Sequence, residues 1–144
     1  YLITRNATTA GAEGGCQAEV GSASAMAASA AVELMGGSPR QCLDAASFAI
    51  VNILGLVCDP IGGLVENPCQ NRNAMGASNA LISAELALAG IKSITPIDET
   101  VGVMYAVGKS LPSELRETSL GGMAVAKSAC EACMACAAKR HGKS

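Results

Sequence analysis

Half of the residues in this chain are hydrophobic, yet only Tyr1, Phe48 and Tyr105 are aromatic. A core without large rings must be filled by Ala, Leu, Ile, Val and Met, and small side chains reach native packing density only when backbones come close. Helices lying against one another provide that approach. Strand signals are nearly absent, with no sustained alternation of β-branched residues bounded by turn dipeptides.

Helix signals recur along the chain. Residues 17–35 are Ala-rich, with Glu19 in the first turn and Gly36-Gly37 as a stop. Ser38-Pro39 supplies an N-cap and a proline at the first helical position, which predicts a second helix to about Leu56. Cys42, Ala46, Ala49, Ile53 and Leu56 form its apolar stripe, so Cys42 reads as core. A third helix is expected from Asn73, as its cap, to Ala89, and a fourth from Thr95 to Lys109. A short one begins near Pro112, and Gly121-Gly122 breaks it. A last helix covers 125–140, where Lys139, Arg140 and His141 suit the C-terminal dipole. The expectation is one all-α domain over 1–144, of about five to six helices, with a frayed tail at 139–144. Cysteine-bearing loops at 5–16 and 57–72 carry the chemistry. Tyr1 opens what reads as the end of an apolar element already under way, so a fragment or processed piece is expected.

A formal charge of −2 with 15% charged residues points to neither nucleic acid nor an anionic membrane. The longest charge-free apolar runs, 20–32 and 45–58, fall short of the roughly 18 residues a bilayer crossing needs. Seven cysteines form an odd set without the density of a small secreted domain, which favours a reducing compartment, the cytosol.

Three of those cysteines stand at breaks between apolar stretches. Cys16 follows Gly14-Gly15, while Cys58 and Cys69 bracket a loop with two prolines and Gly62-Gly63. Three explanations suit them. They are buried small hydrophobes, or ligands of a structural zinc that would need a fourth donor from the last helix, or ligands of an iron–sulfur cluster. Three protein ligands on a four-iron cube leave one iron open as a Lewis acid.

At these residues the chain resembles the iron–sulfur-dependent L-serine dehydratases, in the catalytic α chain or α domain. The likeness runs through Gly11-Ala12-Glu13-Gly14-Gly15-Cys16-Gln17-Ala18-Glu19, Cys58-Asp59-Pro60-Ile61-Gly62-Gly63, Pro68-Cys69, Arg72-Asn73-Ala74 and Arg116-Glu117-Thr118 to Gly121-Gly122. The resemblance implies conversion of L-serine to pyruvate and ammonia without pyridoxal phosphate. It makes Cys16, Cys58 and Cys69 ligands of a [4Fe–4S] cluster whose open iron takes the substrate hydroxyl. It also implies partners: an upstream part of the α domain, a β chain or β domain, and a homo- or hetero-oligomer. A related lyase on L-cysteine or L-threonine and a non-catalytic iron–sulfur or zinc-binding helical module are the competing readings.

Other residues near the thiols carry candidate roles. Glu19, Asp59 and Glu66 are carboxylates able to orient substrate or act as base, and equally able to serve as caps or loop hydrogen-bonders. Arg72 and Arg116 are candidate clamps for a substrate carboxylate, Arg72 favoured because it closely follows the Cys loop. Cys130, Cys133 and Cys136 lie at steps of three on a helix and read first as small residues on a packing face. They read second as thiols able to reach the open iron or to bind metal with His141, a residue otherwise expected to be solvated.

Overall fold

A helix start is favoured where local chemistry can satisfy the first N–H groups. In the computed structural model, which describes the backbone of residues 1–141 and the side chains of residues 1–134, Ser38 does this most completely. Its hydroxyl accepts from the Gln41 N–H at 3.3 Å, and the Gln41 side chain accepts from the Ser38 N–H at 2.9 Å. Seven α-helices and no strand occur among the described residues: α1 (Leu2–Asn6), α2 (Gly11–Gly14), α3 (Cys16–Leu34), α4 (Pro39–Val51), α5 (Cys69–Leu88), α6 (Ile97–Ser110) and α7 (Lys127–His141). The all-α expectation holds.

The core lies where α3, α4 and α5 face one another, and α6 lays Val101 and Met104 onto them. Ala28, Val32, Ala45, Ala49, Ile50 and Ala87 are fully buried, so methyl groups and not rings fill the interhelical space. Cys42 packs against this cluster as expected. A polar tie crosses it: Asn79 on α5 donates to Ser24 Oγ of α3 at 2.9 Å and to the Ala49 carbonyl of α4 at 2.8 Å. Cys16, Val20, Ile53 and Cys58 form a second, smaller cluster at the end where α3 begins.

Several boundaries differ from expectation, each for a local reason. The segment expected to be a loop up to Cys16 holds two short helices, α1 and α2, which accounts for the larger helix count. The second helix ends at Val51 and not Leu56, because the chain tightens into three-residue turns (Ile53 N–H to Ile50 O, Leu54 N–H to Val51 O). The third helix starts at Cys69 and not Asn73, since the Gln70 and Arg72 N–H groups bond back to Glu66 and Pro68 carbonyls. Asn73 is therefore an exposed interior residue of α5 and caps nothing. The short helix expected near Pro112 is a 3₁₀ turn, Ser113–Leu115. On α7, Cys130 and Cys133 are exposed, which corrects their packing-face reading. The side chains of Cys136, Lys139, Arg140 and His141 and the tail 142–144 lie outside the described residues. Among the described residues no helix is long and apolar enough to cross a membrane.

Candidate functional site

Gly15 opens the site by conformation. At φ +76° it occupies a region that side chains disfavour, and a Cβ there would sit 2.7 Å from the Leu56 carbonyl oxygen. The sharp entry makes Cys16 the first residue of α3 and lets the Gln17 N–H donate to that same carbonyl at 2.9 Å. Gln17 is fully buried. Its side chain donates to Met104 O at 2.8 Å and accepts from the Gly55 N–H at 2.8 Å, pinning α6 and the 55–56 stretch beside Cys16. Sequence reasoning missed Gln17; its place directly after the thiol was the only signal.

Cys58 is held by backbone pairing with the 115–117 segment, donating its N–H to Leu115 O at 2.9 Å and accepting from the Glu117 N–H at 2.7 Å. Cys69 is the first residue of α5, as Cys16 is of α3. Two thiols thus stand at helix starts and the third on an isolated bridge, all three buried.

Their electrostatics tie them together. Cys58 donates a hydrogen bond to the Cys16 sulfur, and that bond, aided by Arg72, overcomes burial and lowers the Cys16 pKa to about 7. The same bond, followed by burial, pushes the Cys58 thiol up. Burial, followed by the charge on Cys16, pushes Cys69 up. The charge of Glu19 acts on both Cys16 and Cys69. All three sulfurs therefore lie in a shared field.

Among the described residues no group of three His, Cys, Asp or Glu side chains is close enough to hold one metal ion. Three thiols are a donor set of the kind that holds an iron–sulfur cluster. Gly11 keeps room beside them: a Cβ there would fall 3.0 Å from Cys58 Sγ and 3.4 Å from Glu19 Oε2. The residues fit such a group.

The charged candidates separate by their partners. Asp59, 2% exposed, accepts from Arg72 Nη1 at 2.6 Å through one oxygen and from the Met123 N–H at 2.6 Å through the other. Gly122, at φ +61°, lies so close to Asp59 that any Cβ there would collide with its carboxylate. Arg72 also donates to Val57 O at 2.9 Å and reaches Cys16 Sγ at 3.7 Å. Arg116 is half-buried and its Nε is buried with no partner among the described residues. Glu19 and Glu66 are exposed and form no ion pair among the described residues. Cys133 lies against the cysteine loop, its sulfur 2.8 Å from where a Cβ on Gly62 would be, and Cys130 Sγ faces Ala124 O at 3.6 Å.

Residues 1–124 match the sequence profile described as serine dehydratase alpha chain. The chain is 63% identical over 126 residues to the L-serine dehydratase alpha chain of Peptoniphilus asaccharolyticus, covering 88% of this chain and 43% of that protein. It is 46% identical over 125 residues to an L-serine dehydratase of Helicobacter pylori, covering 86% of this chain and 28% of that one. With an L-serine dehydratase of Streptomyces coelicolor the figures are 45% over 125 residues, 86% and 28%. The chain spans less than half the length of each of these three relatives.

Proposed function

The chain belongs to the serine dehydratase alpha chain family, and from that membership we propose that it is part of a cytoplasmic L-serine ammonia-lyase, completed by a β chain. The reaction is β-elimination of water from L-serine, giving pyruvate and ammonia without pyridoxal phosphate. Cys16, Cys58 and Cys69 hold a [4Fe–4S] cluster. The observation supporting this is the convergence of three buried thiols from α3, the 56–59 stretch and α5 within a shared field, one of them lowered to about 7. When bound, the cluster supplies a Lewis acid that eases departure of the substrate hydroxyl.

The remaining work falls to the chain's own side chains. The α-proton of serine is weakly acidic and needs a positioned base. Asp59 and Arg72, considered for catalysis on sequence grounds, are committed to each other in a buried ion pair. Glu19 borders the thiols and forms no ion pair among the described residues, and it takes the α-proton. Arg116, bridged through its backbone to Cys58 and with an unpartnered Nε, receives the substrate carboxylate in place of Arg72.

The test is anaerobic reconstitution of the full protein, with its β chain, using iron and sulfide. A brown protein whose spectrum changes on adding L-serine and which forms pyruvate supports the reading, as does loss of iron in Cys16→Ser, Cys58→Ser and Cys69→Ser. A response to L-cysteine or L-threonine alone would move the substrate. A colourless protein with stoichiometric zinc would replace the enzyme with a metal-binding helical module.

A further inference from the structure

One side chain touches or adjoins every segment that carries a thiol. Arg72 Nη1 lies 3.7 Å from Cys16 Sγ, donates to the carbonyl of Val57, directly before Cys58, and pairs with Asp59, directly after it. Arg72 itself sits three residues beyond Cys69 on α5, hence nearly one turn along the same side of the helix. Its side chain is 14% exposed and that of Asp59 is 2% exposed, so solvent does little to loosen the pair. The second Asp59 oxygen is occupied by the Met123 N–H, which leaves the carboxylate no freedom to swing away from the guanidinium.

We infer that Arg72 is a positioning residue for the cysteine centre: its guanidinium aims the Cys16 sulfur inward and donates to it, with Asp59 as the anchor that holds the guanidinium in place. The inference rests on the cluster reading of Cys16, Cys58 and Cys69. An N–H directed at a ligating sulfur withdraws electron density from it and fixes its rotamer, and both affect how firmly the metal is kept. All three contacts are made by one nitrogen, Nη1, which the planar guanidinium holds at a fixed point; a lysine ammonium carries the same charge on a flexible stem that does not fix it there.

The experiment compares wild-type protein with Arg72→Lys and Asp59→Asn, each as the full protein reconstituted anaerobically with iron and sulfide. Three quantities are read: the melting of the cluster-free protein, the iron retained against a chelator, and the visible spectrum of the cluster. The expected result is near wild-type melting for Arg72→Lys, with iron held roughly 10–100-fold less tightly and a shifted spectrum. Asp59→Asn should weaken retention in the same direction. Unchanged retention and spectrum in a folded Arg72→Lys overturn the inference. If that variant does not fold, Asp59→Asn decides on the same two readouts; failure of both to fold makes the pair a folding element and also overturns it. Wild-type protein that takes up no iron brings down the cluster reading and this inference together. Wild-type loading with unaltered variants brings down this inference alone.

Discussion

At Cys16 two effects oppose each other: hydrogen bonds from Cys58 and Arg72 favour the thiolate, and burial penalises it. The bonds win. The folded thiol titrates near 7 against an ordinary value of 9.0, so the thiolate is the main form above neutrality and the thiol below it. Cluster-free protein should therefore gain one thiolate as pH rises through about 7, seen in ultraviolet thiolate absorbance and lost in Cys16→Ser. A step that is missing near neutrality, or that survives the substitution, contradicts the assignment. Metal uptake displaces protons from Cys58 and Cys69, whose thiols are pushed up, and below that point from Cys16 as well, so iron binding weakens as pH falls. Cys16 and Cys69 stood out as candidates because each directly follows Gly or Pro, and Cys58 because it stands two residues before Pro60 in a loop. The commitments of Asp59 and Arg72 were not legible, since a charged residue near a thiol reads equally well as a base, a clamp or half of an ion pair.

Among the elements, the starts of α3 and α4 make a useful contrast. Ser38→Ala removes a capping box far from the thiols and should cost about 1 kcal/mol of stability, with iron stoichiometry unchanged. Gly15→Ala forces a side chain into a left-handed conformation against Leu56 O and should cost roughly 1–3 kcal/mol while also lowering iron content, because Cys16 moves with it. Denaturant titration of the cluster-free proteins and iron analysis of the reconstituted ones separate the two; equal iron in both variants would show that Gly15 does not set the thiol. The start at Ser38 and the stop at Gly36-Gly37 were readable because capping and left-handed turns are local rules. The start of α5 was misread because Asn73 has the chemistry of a cap, while carbonyls of the preceding loop already serve the first N–H groups. The exposure of Cys130 and Cys133 was misread because periodicity defines a helix face without saying what lies opposite.

For the whole molecule, stability rests on three helices drawn together by alanine-sized contacts and by polar ties, of which Asn79 makes the widest. Asn79→Ala strips Ser24, Asn52 and the Ala49 carbonyl of a partner, and a buried group left unsatisfied costs about 1–3 kcal/mol. The denaturation midpoint of the cluster-free protein should fall accordingly without a change in its thiolate titration, and an unmoved midpoint would show that the tie contributes nothing. What the sequence determined by itself is the helical class and most limits of the long helices, because these follow from small side chains, local caps and glycine or proline breaks. Only the tertiary structure decided which groups meet at the site. Asp59 finds Arg72 across 13 residues and Met123 across 64, and hydrogen-bond choice over such separations depends on distances that exist only once α3, α5 and the 115–125 segment have come together.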